Sequence, residues 1–261
     1  MYVHNIDPVM FNIGPLEIRY YGLVYVLAFI AGYYILMWYQ KKGFLELKKE
    51  DVENLLLYIM LGVILGSRLG MIFWEPKYYL LDPINIFKIW QGGMSFHGGL
   101  IGVVVAVYWF SRKYKIKFLQ ITDMVVIPAV FALAVGRVAN FINGELWGTV
   151  TNVSWCVQFK GAEGCRHPVV LYGAIGRAFA GFILVLLARK ERKAGFISFV
   201  FLTLLGIGRF FSDFLREDPR FLGLSTGQYL SLAMLIVGIY VLARSYRNEL
   251  IGIFKFSHKA V

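Results

Sequence analysis

The sequence predicts an all-α polytopic membrane protein with about seven transmembrane helices, N-terminus outside and C-terminus cytoplasmic. Three observations carry that expectation. Only 16% of the 261 residues are charged and 58% are hydrophobic, with a mean hydropathy of +0.62; a soluble domain carries about 25% charged and about 45–50% apolar residues. The apolar residues are gathered into blocks of about 20, the length that crosses a hydrocarbon core of about 30 Å. The Lys and Arg are concentrated in the connections between alternate blocks. So little charge cannot coat a water-facing surface, which argues against a soluble enzyme, a disordered chain and a coiled coil.

The blocks run over residues 18–38, 53–74, 95–110, 118–137, 169–188, 195–214 and 226–243, and together they read as one integral membrane domain, 1–261. The first is not read as a cleaved signal peptide, because Asp7 and Glu17 precede it and no small-residue cleavage site follows. The third is short, the fourth carries Asp123 and Pro128, and the sixth ends in charge. Gly62, Gly66 and Gly70 recur every four residues and put a small face on the second block, suited to close helix packing.

Sixteen Lys and Arg lie in the 39–52, 111–117 and 189–194 connections and the C-terminal tail, and six lie in the opposite connections. The richer side is expected to be cytoplasmic. The net charge of +11 is therefore mostly a topology signal, and no nucleic-acid partner is implied. The other side holds the longer connections, 75–94 and 138–168. Cys156 and Cys165 both fall in the second; the sequence leaves open whether they are bonded or free. No CxxC or Cys/His cluster points to a metal, and no internal repeat points to a transporter built from inverted halves.

Ionisable groups inside spans are costly and mark function by default. Arg68 reads either as a snorkelling or structural group or as a functional one. Arg177 sits mid-span with no partner named by its neighbours, and Asp123 is expected to be a structural counter-ion for one of these arginines. The densest cluster closes the fourth block, Gly136-Arg137-Val138-Ala139-Asn140-Phe141-Ile142-Asn143-Gly144-Glu145-Leu146-Trp147-Gly148. Arg137, Asn140 and Gly144 share a helical face if the helix continues; a helix cap plus a turn would account for Asn143-Gly144 alone. The sixth block ends with Arg209, Asp213 and Arg216 at i, i+4 and i+7. A buried aspartate there would fix two guanidinium groups, and guanidinium matches phosphate oxygens bidentately. Together Arg137 and Arg209 suggest an anionic lipid headgroup. His97, in Gly92-Gly93-Met94-Ser95-Phe96-His97-Gly98-Gly99-Leu100-Ile101-Gly102, is either a polar cap or a base for a thiol or hydroxyl. Tyr21 opens the first block as an ordinary interfacial tyrosine.

Taken together, these strings, with Tyr20-Tyr21-Gly22-Leu23, Arg166-His167-Pro168 and Ser225-Thr226-Gly227-Gln228-Tyr229, resemble the bacterial prolipoprotein diacylglyceryl transferase family over nearly the whole chain. The resemblance implies a seven-spanning enzyme of the bacterial cytoplasmic (inner) membrane with its site toward the outer leaflet. It implies that the diacylglyceryl group of phosphatidylglycerol passes to the thiol of a lipobox cysteine in a prolipoprotein signal peptide, forming a thioether and releasing glycerol 1-phosphate. It also implies importance for Tyr21, His97, Arg137, Asn140, Glu145, Gly148, Arg209 and Asp213. The chain departs from the family where Asp213 replaces the usual Glu. It departs again at Val169, Val170 and Gly173, where the family often has Ser/Thr, Gln and Glu.

The expected mechanism is displacement at the glycerol carbon bearing the phosphate. His97 would take the thiol proton. Arg137 and Arg209 would hold the phosphate, oriented by Glu145 and Asp213, and Asn140, Asn143, Tyr21, Gly148 and Arg216 would complete the binding surface for lipid or peptide. No cofactor or metal is expected, since the phosphoester carries the energy. The rival readings are a transporter or channel for an anionic lipid or small anion, and an intramembrane hydrolase. Clustering of the polar groups at one depth argues against the first, and the lack of a Gly-x-Ser-x-Gly elbow against the second.

Overall fold

Each apolar block forms a helix, because a backbone in hydrocarbon must satisfy its own N–H and C=O groups. The computed structural model describes residues 1–14, 16–43, 47–88 and 92–255; the side chain of Tyr21 falls outside that description. Its long helices are α1 (Tyr20–Lys41), α2 (Lys49–Trp74), α4 (Phe96–Tyr114), α5 (Phe118–Ile142), α6 (Val169–Leu187), α7 (Phe196–Ser212) and α8 (Thr226–Ser245), with shorter α3 (Pro76–Leu81) and α9 (Arg247–Lys255). Six of these are long and apolar enough to cross a membrane. The remaining long one, α4, spans 19 residues, about 28 Å at 1.5 Å per residue. Its ends are polar, with His97 and three glycines in its first two turns and Arg112 and Lys113 in its last. Short strands decorate the connections: β1 (Tyr2–Val3) pairs in parallel with β4 (Val157–Gln158), β2 (Val9–Ile13) with β3 (Leu16–Arg19), and β5 (Arg220–Phe221) with β6 (Leu224–Ser225). The chain's contacts group into two compact units, Met1–Gly32 with Asp123–Val261, and Tyr33–Thr122.

In the unit 33–122, α2 and α4 approach backbone to backbone. A Cβ added at Gly66 would collide with the Gly98 carbonyl and stand 2.8 Å from Gly102 Cα. One added at Gly102 would collide with the Gly62 carbonyl, and one at Gly70 would stand 2.9 Å from Ser95 Cβ and Gly98 Cα. The four-residue glycine repeat of α2 therefore meets the glycines that follow His97, and both sets serve one helix contact. Gly66→Ala is expected to destabilise the protein by at least about 1–3 kcal/mol, the usual cost of overpacking. A lowered unfolding temperature in detergent would show it; an unchanged one would contradict this contact.

Arg68, at 6% exposure, takes the structural reading. Its Nε donates to Ile86 O (2.7 Å), Nη2 to Asn85 O (2.5 Å), and Nη1 to Tyr79 OH, Gly92 O and Gly93 O (3.0, 2.9 and 2.8 Å). Gly92 and Gly93 have φ of +88° and +71°, which glycine adopts without strain and which brings two successive carbonyls to one guanidinium. Ser95 N donates to Ser67 O (3.0 Å). The start of α4, and with it His97, is thereby tied to α2.

In the other unit, Met124, Ile127, Val130 and Ala134 form the buried stripe of α5, and Arg137 falls on its continuation. Asp123 corrects the sequence reading. It pairs with no arginine among the described residues; its Oδ2 accepts from Gly195 N (2.6 Å) and its Oδ1 from Ser198 N (2.7 Å) and Ser198 Oγ (2.6 Å). A carboxylate there satisfies the unpaired N–H groups that begin α7 and complements its dipole. Helix α5 runs to Ile142, five residues beyond the expected end, and breaks at Gly144 (φ +67°). Gly144 therefore does not share the face of Arg137 and Asn140, and the turn reading of Asn143-Gly144 holds. The N-terminal segment is fastened here: His4, 6% exposed, donates through Nε2 to Phe141 O at 2.7 Å. Cys156 and Cys165 are joined in a disulfide, which settles the question the sequence left open.

Candidate active site

Helices α5, α6, α7 and α8 bring their polar residues to one end of this unit. Arg137 comes from the last turns of α5, Arg177 from the middle of α6, and Arg209 from the last turn of α7. Arg216 follows the 3-10 turn Asp213–Leu215. All four arginines line one small cavity with Val169, Val170, Gly173 and Ser212. At about 10 Å³ it has room for about one water. Gly173, Arg177, Arg209 and Ser212 also line a second cavity of about 280 Å³, whose other walls include Val130, Ala180, Phe201, Leu204, Leu205 and Phe211. The shared residues make the two spaces neighbours: one cationic, one apolar.

Asp213 is completely buried. Its Oδ1 lies 3.0 Å from Arg209 Nε and 3.9 Å from Arg216 Nε, and its Oδ2 accepts from Ser225 Oγ at 3.1 Å. Ser225 is also the N-cap of α8: its Oγ accepts from Gln228 N (3.0 Å), while Gln228 Oε1 accepts from Ser225 N (2.9 Å). One hydroxyl thus locks the start of α8 and the carboxylate that orients Arg209. Space for the ion pair comes from Gly227, where an added Cβ would collide with Asp213 Oδ2 and stand 3.0 Å from Arg209 Nη2. The expected single face of Arg209, Asp213 and Arg216 holds for the first two. Arg216 has left the helix (φ −111°, ψ 153°) and binds Asp218 through Nε (2.8 Å) and Nη2 (3.1 Å). That hydrogen-bonded guanidinium holds the Asp218 carboxyl below the usual carboxylate range, so Asp218 is ionised at neutral pH and loses the pair only in acid.

On α5, Arg137 Nη1 donates to Asn140 Oδ1 at 3.5 Å, and Asn140 Nδ2 donates to Glu145 Oε1 at 2.7 Å. Glu145 therefore reaches Arg137 through Asn140 rather than directly. Asn143 Nδ2 also donates to Glu145 Oε1 (3.3 Å), and its Oδ1 is buried with no partner. Gly148 is buried where three segments cross: an added Cβ would stand 2.6 Å from Leu215 O and Val169 Cγ1 and 2.9 Å from His167 O. Its place is explained by packing. The crossing is braced by Arg166, whose Nη1 donates to Gly148 O (3.1 Å) and Glu217 Oε2 (2.7 Å).

His97, in the unit 33–122, is exposed at the second residue of α4. The cap of α4 is Ser95, whose Oγ accepts from Gly98 N at 3.2 Å. The imidazole is therefore not needed as a cap, and its one described ring contact is with Phe96. Tyr21 lies in the first turn of α1.

Sequence reasoning left Arg177, Arg166, Ser225 and Gly227 outside the site. Arg177 carried a signal, a mid-span charge, and Ser225-x-x-Gln228 before an apolar run is a capping-box pattern. Gly227 and the partners of Arg166 had no local signature.

Residues 8–244 match the family described as prolipoprotein diacylglyceryl transferase. A protein of Cupriavidus pinatubonensis named phosphatidylglycerol–prolipoprotein diacylglyceryl transferase is 42% identical over 269 aligned residues, which cover 95% of each chain. Proteins of the same name from Pseudoalteromonas atlantica and Geobacter sulfurreducens are each 44% identical. They align with 94% and 90% of this chain and with 91% and 94% of their own. With a family match that covers most of its length and relatives above 40% identity end to end, the chain belongs to the prolipoprotein diacylglyceryl transferase family.

Proposed function

We propose that this chain transfers the diacylglyceryl group of phosphatidylglycerol to the thiol of a lipobox cysteine in a prolipoprotein signal peptide. The C–O bond between the glycerol carbon and the phosphate breaks, a C–S bond forms, and glycerol 1-phosphate leaves. The observation that carries this reading is the arginine-lined cavity adjoining an apolar one. That pairing suits a phosphate headgroup whose acyl chains stay in a dry groove.

Arg137 and Arg209 hold the phosphate oxygens and stabilise the charge that develops as the C–O bond breaks, an effect strengthened where water is scarce. Asp213 and Ser225 keep Arg209 in place; Asn140 and Glu145 do so for Arg137. Arg216, Asn143 and Tyr21 complete the contacts to headgroup or peptide. His97 receives the thiol proton, because a thiolate is the better nucleophile and a free cysteine thiol has a pKa of about 8.5. In this reading α4 is the seventh span, the N-terminus faces outward, and the site opens to the outer leaflet of the bacterial inner membrane. The distribution of Lys and Arg supports that orientation.

Purified protein incubated with phosphatidylglycerol and a lipobox peptide is expected to yield peptide heavier by one diacylglyceryl group, detected by mass spectrometry. Movement of lipid with no thioether product would replace this reading by the transport one.

A further inference from the structure

The four guanidinium groups around the polar cavity differ in how their charge is answered. Arg216 is held by Asp218, Arg209 is paired with Asp213, and Arg137 is linked through Asn140 to Glu145. Arg177 has no carboxylate within 4 Å among the described residues. Its Nη1 donates to the carbonyl of Gly173, one turn back on its own helix, at 2.8 Å. Its Nε is buried with no hydrogen-bond partner. The charges that act on it are those of Arg137, Arg209 and Asp213, and it lines both cavities. A buried cation beside two like charges and one opposite charge, with a donor left unused, gains from the arrival of an anion.

We propose that Arg177 is a third contact to the lipid phosphate, and the one that selects anionic over zwitterionic headgroups. The inference rests on the transferase reading and adds a residue to its site. Arg209 and Arg216 are each paired directly with a carboxylate and Arg137 is linked to one through Asn140, so Arg177 adds a positive charge that no acidic group within 4 Å among the described residues answers. A phosphodiester with a neutral glycerol headgroup supplies one negative charge and free oxygens for the unused Nε–H. A headgroup carrying its own ammonium group would bring that cation among four guanidiniums. Gly173 makes the arrangement feasible: an added Cβ would stand 2.7 Å from Arg177 Nη1, so a larger side chain at 173 would displace the guanidinium.

Two measurements test this. Transfer is assayed in detergent micelles that hold phosphatidylglycerol, with and without phosphatidylethanolamine. Arg177→Gln is expected to raise the KM for phosphatidylglycerol about ten- to hundredfold above that of the wild type, the range for one charge-assisted hydrogen bond, and to make transfer more sensitive to added phosphatidylethanolamine than it is in the wild type. Arg177→Lys should recover much of that loss. An Arg177→Gln variant with the wild-type KM and wild-type sensitivity to phosphatidylethanolamine overturns the proposal while leaving the transferase reading intact. The second measurement uses the unaltered protein and does not depend on turnover. Labelling of arginines by phenylglyoxal, read by mass spectrometry, should show Arg177 protected by phosphatidylglycerol and not by phosphatidylethanolamine. Equal labelling with both lipids overturns the proposal. Selective protection in a protein that forms no thioether upholds the headgroup site and removes the transferase reading.

Discussion

Asp213→Asn is expected to lower the rate of diacylglyceryl transfer by about 10²–10³-fold, the usual loss when a preorganised charge-stabilising contact is removed. The substitution keeps the shape of the side chain and removes its charge. An asparagine can offer its oxygen either to Ser225 Oγ, which now lies 3.1 Å from Oδ2, or to Arg209 Nε, 3.0 Å from Oδ1. With its oxygen toward Ser225, its NH₂ faces the Arg209 guanidinium, which can only donate; with its oxygen toward Arg209, its NH₂ meets a hydroxyl that can accept, but the negative charge that held Arg209 is gone. Arg216 keeps Asp218; Arg209 has no second carboxylate within 4 Å among the described residues, and its side chain is 29% exposed, so it can swing out of the cavity. Breaking a buried pair by removing one partner costs about 3–5 kcal/mol, with the lower end expected here because Arg209 can reach solvent. The checks are a thermal unfolding curve in detergent and a separate determination of kcat and KM. Asp213→Glu restores the charge with one more methylene of reach, so it should regain most of the activity. Wild-type transfer by Asp213→Asn would remove the ion pair from the mechanism.

His97→Gln is expected to lower transfer at pH 7 by about 10²–10⁴-fold, the range for loss of a general base. Its fold should be unaffected. His97 is exposed, the cap of α4 belongs to Ser95, and the glycines that follow His97 make the contact with α2. The loss should depend on pH with a definite sign. A thiol of pKa about 8.5 is only about 3% ionised at pH 7. Without a base, the rate should follow the thiolate, rising about tenfold per pH unit up to about pH 8.5 and then levelling. The unaltered enzyme, with the imidazole accepting the proton, should be much less steep over that interval. A variant with full turnover at pH 7, or with the same pH profile as the unaltered protein, would assign the proton to another group.

How much could be read from the chain alone varied with the range of the interaction. Helix positions were legible because a span is a local property: about 20 apolar residues must satisfy their own backbone groups in hydrocarbon. Each expected block is a helix, with ends displaced by a few residues. The glycine repeat of α2 was legible as a packing face for the same reason, since its period is that of the helix. The candidate site was legible as composition, because Arg137, Asn140, Asn143, Glu145, Arg209 and Asp213 stand in short strings of polar residues where lipid-facing chains rarely have them. Arg137 and Arg209 do line one cavity.

The pair Arg209–Asp213 was legible from its i, i+4 spacing, but partners that lie far apart along the chain were not. Asp123 caps a helix that begins 73 residues later. Arg68 gathers carbonyls from a connection whose glycines only then make sense. Cys156 and Cys165 are bonded although their spacing left both states open. Arg177 announced itself as a charge in an apolar helix, yet only the packing of α5, α6 and α7 placed it at the cavity with Arg137 and Arg209. The sequence by itself determined where the membrane helices lie and which strings carry the charge, because burial of apolar surface depends on residues counted along the chain. The tertiary structure decided which charges face one another, because a carboxylate or guanidinium in a dry interior takes whichever partner the folded chain brings within about 3 Å.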